Sequence, residues 1–97
     1  MSTRARFLIV TFHWKTAPKV VELKPVFDTA LDWLRIAPNC WILWTNSETE
    51  VWFSALQPYL GTDDSMFIGE LNLSAPSENY TGWYAKWVWD WINKHRS

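Results

Sequence analysis

The side chains with the most chemical capacity in this chain are His13 and Trp14, which end the apolar run RFLIVTFHW (Arg6–Trp14). An imidazole at a strand end, where loops gather, is placed to act as a general base or to contact a ligand. A lone histidine beside an apolar segment is also an ordinary structural residue, and the sequence gives it no Ser/His/Asp or Cys/His partner order. A second pattern is aromatic. Nine of the 97 residues are tryptophan, and Trp14, Trp41, Trp44 and Trp89 could offer stacking faces to a nucleobase, with Arg4, Arg6 and Lys15 meeting its phosphates. The same rings suit a dimer interface, which favours Trp and Tyr in a desolvated centre, and that reading is preferred. A third pattern is acidic. Asp28 and Asp32, four positions apart, could hold a metal or do acid–base work, but on a helix they read as a solvated face. Gly61, Gly69 and Gly82 are the only glycines, so a phosphate-cradling loop is not expected. No catalytic residue, metal site or cofactor is assigned.

Composition narrows the function classes. The length suits one domain over residues 1–97. Hydrophobic content is 48%, charged content 20% and formal net charge −1, which fits a soluble globule without the basic footprint of a nucleic-acid binder. A chain of this size buries roughly two-thirds of its unfolded surface. Nine Trp, five Phe and three Tyr exceed what one such core hides. Some of that surface should meet a second copy, another protein or a flat ligand. The single Cys40 excludes an internal disulfide and a cysteine-based zinc site, and its apolar setting suggests a buried, inert thiol. Asn72 and Asn79 open Asn-x-Ser/Thr triplets, which matter only in a secreted protein. No signal-like segment is read at the start, and no run approaches about 18 apolar residues, so no membrane span and a cytoplasmic location are expected.

The elements that must position these residues follow from periodicity. Arg6–Trp14 is apolar at both alternations and reads as a central strand covered on both faces. Lys15–Lys19, with Pro18, reads as a loop. A helix is expected from near Lys24 to Ala37, with Pro25 in its first turn and Phe27, Ala30, Leu31 and Leu34 as the buried stripe. Asp28, Asp32 and Arg35 would lie opposite, and Pro38-Asn39 would stop it. Cys40–Asn46 (CWILWTN) is a second strand. Ser47-Glu48-Thr49-Glu50 reads as a capping box that opens a helix to about Leu60, with Val51, Ala55 and Leu56 inward. Met66–Leu73 is a third strand, with Gly69 as a bulge or close-approach point. After a loop over Ser74–Gly82, a last helix is expected over Trp83–His95. Trp83, Tyr84, Trp87, Val88 and Trp91 share its broad face and Trp89 projects nearly opposite. Basic residues at the ends, Lys94, His95 and Arg96 among them, read as solvated.

The order of these pieces resembles the SinR family, small proteins related to the CRISPR-associated endonucleases that assist the spacer integrase and to VapD-type toxins. LIVTFHW (Leu8–Trp14) is similar to their first strand and CWILWTN (Cys40–Asn46) to a later one. Pro58-Tyr59-Leu60, Asp64 with Met66-Phe67-Ile68, Gly82-Trp83 and Trp89-Asp90-Trp91 match in order. The resemblance implies a ferredoxin-like α+β sandwich: an antiparallel sheet in βαββαβ order, helices on one face, and a homodimer joined through sheet surfaces or edges. Little room remains between Ala37 and Cys40 for a hairpin partner, so one edge strand should be truncated. The family's metal-binding carboxylate falls at His13. Hard cations such as Mg²⁺ prefer oxygen ligands, so the resemblance implies a nuclease-inactive relative. A carboxylate from elsewhere, Glu70 or Asp64, would restore the alternative, a metal-dependent endonuclease or endoribonuclease. The expected function is a homo-oligomeric binding module for a protein or nucleotide, in a setting of phage–host conflict. Its expected contact residues are His13, Trp14, Trp41, Trp44, Trp89, Arg6 and Lys15.

Overall fold

The computed structural model describes residues 4–15, 17–73 and 82–94. Its centre is the strand whose apolar residues occupy both alternations. β1 (Arg6–His13) pairs antiparallel with β3 (Cys40–Thr45) on one side and with β4 (Ser65–Leu71) on the other. β2 (Asp32–Ala37) pairs with β3, giving a four-stranded antiparallel sheet in the order β2-β3-β1-β4. Among the described residues, three α-helices complete a small α+β fold: α1 (Val20–Phe27), α2 (Thr49–Leu56) and α3 (Lys86–Ile92). Among the described residues, no helix is long and apolar enough to cross a membrane.

Side chains alternate across a strand. Leu8, Val10 and Phe12 therefore face the same way as Leu43 and Trp41, through the pairs Leu8↔Leu43 and Val10↔Trp41. On that side α1 contributes Leu23 and Phe27, α2 contributes Trp52 and Leu56, and the nine form one buried cluster. Phe27 stacks on Trp41 with ring centroids 4.9 Å apart and lies 6.3 Å from Trp52. Burial of each such side chain stabilises by about 1.5–3 kcal/mol, so this layer dominates the stability of the fold.

The opposite side of the sheet carries α3. Phe7, out of phase with Leu8, meets Trp91 at 5.8 Å, and Lys94 Nζ lies 3.1 Å from Asp32 Oδ2. Val88 and Ile92 of the helix are buried, as is Ile42 of β3. The helices thus flank both faces, which corrects the expectation of helices on one. The cause is the second apolar row of the central strands, Phe7, Ile9, Ile42 and Trp44, which is too extensive to leave facing water.

The expected helix over Lys24–Ala37 is also corrected. α1 starts at Val20 and ends at Phe27, with Pro25 inside it. The amide that Pro25 lacks would have bonded the carbonyl of Val21, an exposed residue within reach of water. β2 then occupies Asp32–Ala37, with a bulge between Arg35 and Ala37. Pro38 and Asn39 form the hairpin loop, and Asn39 Nδ2 donates to the Phe12 carbonyl at 2.9 Å. The edge strand is therefore complete, not truncated. Asp28 and Asp32 do not share a helix: Asp28 caps the end of α1 and Asp32 opens β2.

Smaller shifts have local causes. The capping box does not form. α2 has Glu48, not Ser47, at its N-cap and no side-chain cap bond, and the Glu48 carboxylate accepts from Arg6 Nη1. The helix then turns Trp52 and Leu56 inward and leaves Val51 and Ala55 exposed. A 3₁₀ turn at Gln57–Tyr59, with Pro58 in its first turn, ends it. Gly69 is a close-approach point and not a bulge: a Cβ there would come within 3.1 Å of the Phe67 ring. α3 begins at Lys86, so Trp83 and Tyr84 precede it. Most of the expected Ser74–Gly82 loop, Asn79, and the tail from His95 lie outside the described residues.

Candidate functional site

β1 carries sequence-predicted contact residues at both of its ends. Arg6 and His13 are seven positions apart, which is about 23 Å of extended strand. They belong to different surfaces.

At the first end, Arg6 and Trp44 do come together. They line an open cleft of about 730 Å³ with Arg4, Phe7, Glu70 and Asn72. Phe7 and Trp44 are paired across β1 and β3, and their rings sit 4.7 Å apart, tilted by 48°. The Arg6 side chain is only 16% exposed and its Nη1 donates to Glu48 Oε1 at 2.9 Å. Glu70 adds a second carboxylate to the cleft wall. A phosphate meeting Arg6 here would have to displace Glu48 and face Glu70.

At the other end, His13 and Trp14 line a shallow depression of about 450 Å³ with Pro18, Pro38 and Asn39. His13 is exposed, and Trp14 stacks on Phe12 at 4.6 Å and 15°. The Trp14 indole N–H is buried and meets no acceptor among the described residues. Lys15 lies just beyond, and its backbone N–H donates to Asp64 Oδ1 at 2.7 Å. Asp64 Oδ2 accepts the Gly61 N–H at 2.7 Å. That carboxylate, beside His13 through the His13↔Ser65 pair, thus ties two loops together. Glu70 pairs with Leu8 in the register and lines the cleft at the other end. Among the described residues, no three His, Cys, Asp or Glu side chains cluster as metal ligands.

Trp41 cannot stack on a ligand: it is 2% exposed at the centre of the core. Trp89 is half-buried on α3 and meets Tyr84 edge-on at 6.4 Å. Other aromatics are exposed: Phe53 on α2, Phe67 on β4, and three around the start of α3. Trp83 is 97% exposed, Trp87 55% and Tyr84 45%. Sequence periodicity assigned all three to the inward face. The signal that would have placed them outside is the short helix, which buries only the pair Val88 and Ile92, four apart.

Asp28 accepts from Lys24 Nζ and from Trp33 Nε1, each at 2.9 Å, and these bonds, Lys24's first, hold its carboxyl below the ordinary aspartate value. A lowered folded-state value makes this contribution to stability fully present above the ordinary value, and it is lost as pH falls through the folded one. In an NMR titration the Trp33 indole resonance should move with a midpoint below about 3.9, and Lys24→Met should raise that midpoint. A midpoint unchanged by Lys24→Met would refute the assignment. Burial pushes the Cys40 thiol up, which keeps it protonated and poorly nucleophilic.

Comparison with known proteins finds no matching family model, no matching curated protein and no matching solved structure.

Proposed function

We propose that this protein is a ferredoxin-like binding module that works by aromatic contact with a protein surface, in the first instance a second copy of itself. Support for the ferredoxin-like assignment comes from the order β2-β3-β1-β4, in which β1-α1-β2 and β3-α2-β4 each cross over one intervening strand. That order is the one the SinR-type resemblance implies, and a setting in phage–host conflict inside the cytoplasm rests on that resemblance alone. The observation that carries the functional reading is the exposure of Trp83, Tyr84 and Trp87 around the start of α3. Large rings left in water are uncommon, and Trp and Tyr are the residues that anchor protein interfaces.

A protein surface is favoured over a nucleotide by charge. Lys86 on the same helix is paired with Asp90 at 2.8 Å, and Lys94 with Asp32 at 3.1 Å. Among the described residues, both lysines of the 82–94 segment are thus engaged by carboxylates.

Sedimentation of the full chain should reveal a dimer or larger species at about 10 μM, the range expected if the dissociation constant is near micromolar. Replacing Trp83 and Trp87 together by Ser should give a folded monomer, since each is exposed. A wild-type monomer at that concentration, or a double variant that sediments unchanged, would remove the basis for the proposal.

A further inference from the structure

Between α1 and the edge strand β2 lies an apolar slot of about 330 Å³, separate from both ends of β1 and from α3. Half-buried Trp33 lines it with ring surface, Val20 and Val21 line it from the helix, and the buried Phe27 and Trp41 border it from the core. The volume is at the small end of ligand pockets, which run from roughly 300 to 1,000 Å³ and combine apolar walls with a few fixed polar groups. Val21 is 84% exposed, so an apolar side chain stands in water at its rim.

The fixed polar group is Arg35. Its guanidinium carbon lies 5.3 Å from the Trp41 ring centroid, and its Nη2 donates to the Pro38 carbonyl at 2.7 Å. Stacking and that bond set the plane of a group that stays charged and has further N–H donors to offer. Among the described residues, no carboxylate lies within ion-pair distance of Arg35. The other cation at the slot, Lys24, is already paired with Asp28 at 2.9 Å. Asp28 in turn accepts from Trp33 Nε1 and so holds one aromatic wall in place.

The geometry points to a binding site for a small aromatic carboxylate, its ring in the slot and its carboxylate on the Arg35 guanidinium. Charge decides the polar end: a planar cation with no ion-pair partner among the described residues, fixed beside apolar walls, matches a carboxylate in shape as well as sign. The competing occupant is an extended peptide added to the free edge of β2. The strand is poorly suited to that. It is six residues long, it carries a bulge between Arg35 and Ala37, and the Trp33 backbone N–H already donates to the Asp32 carboxylate at 2.9 Å.

The test is an NMR titration of the full chain with phenylacetate and with its neutral analogue phenylacetamide, read on the Trp33 and Trp41 indole resonances. Phenylacetate should shift them saturably and bind at least about tenfold more tightly than the amide, as a charge-assisted pair requires. Arg35→Gln should abolish that preference, bringing phenylacetate down to about the affinity of phenylacetamide. Val21→Glu provides a second variant at an exposed position in the first turn of α1, where a carboxylate is compatible with the helix. It should weaken phenylacetate, through charge repulsion added to the lost apolar wall, by clearly more than it weakens the amide. Equal affinity for the two probes, an unsaturable response, or a preference that survives both substitutions would overturn the assignment.

Discussion

Replacing Trp41 by alanine is expected to lower stability by about 3–5 kcal/mol, the range for removing a large buried aromatic. Stability for a domain of this size is ordinarily about 5–15 kcal/mol, so the loss is a large fraction of the whole. The magnitude follows from position. Trp41 is 2% exposed and belongs to the central strand β3. It packs edge-on to Phe12 at 5.5 Å and stacks on Phe27 at 4.9 Å. Phe12, Phe27 and Trp41 come from β1, α1 and β3, so the substitution opens a void where three elements meet. Backbone in a sheet cannot close such a void without breaking its ladder, and little relaxation should offset the cost. Urea unfolding should show a much lower midpoint with an unchanged slope. Phe67→Ala is the matched control: the same kind of truncation at a residue 66% exposed should change stability by about 0.5 kcal/mol or less. Similar losses in the two variants would mean that the core is not where the ring stack places it. A residue that served ligand stacking would behave differently, losing binding while stability stayed constant.

How far the sequence revealed this arrangement depended on whether a segment's pattern had one period or two. β1 and β3 were legible because RFLIVTFH and CWILWT are β-branched or aromatic without glycine or proline, and only a strand suits them. β4 was legible too, shifted by a residue or two at its ends. β2 was not. Phe27, Ala30, Leu31 and Leu34 fit a helical stripe, while Trp33 and Arg35 against Leu34 and Ile36 fit an alternating strand. The choice was settled by pairing, since β3 needed a second neighbour and the loop Pro38-Asn39 supplied a tight hairpin. That is a long-range demand that periodicity does not contain. The missed strand also hid the slot, which exists only because Trp33 and Arg35 stand on β2 beside α1. Candidate residues fared unevenly for a related reason. Trp44 and Arg6 share a cleft because β1 and β3 run antiparallel in a register that pairs Phe7 with Trp44. His13 is in phase with Phe7 but stands at the far end of the same strand. Tryptophan content could predict that some rings must be exposed, but not which ones. The exposed set is decided by the short span of α3.

The second large effect is expected from a smaller change, Thr45→Val. Thr45 is 1% exposed at the end of β3, and its hydroxyl is the acceptor for two N–H groups. Trp52 Nε1 donates to it at 3.1 Å from α2, and the Ser47 backbone N–H donates at 3.1 Å from the turn between strand and helix. One oxygen thereby links β3 to α2 and fixes the approach to the helix. This bond stands where the expected capping box does not form. Valine keeps the shape and removes the acceptor. The Trp52 indole N–H is then buried without a partner, which costs about 1–3 kcal/mol, and the Ser47 amide adds to that. A domain of this size loses roughly 4–8 °C of melting temperature per kcal/mol, so the drop should be readily measured. Thr45→Ser retains the hydroxyl and should cost far less than Thr45→Val. Trp52→Phe removes the donor, so combining it with Thr45→Val should cost less than the sum of the two single changes. Strict additivity would show that the hydroxyl and the indole do not interact. A valine variant as stable as the serine one would show that the oxygen does not organise the turn into α2.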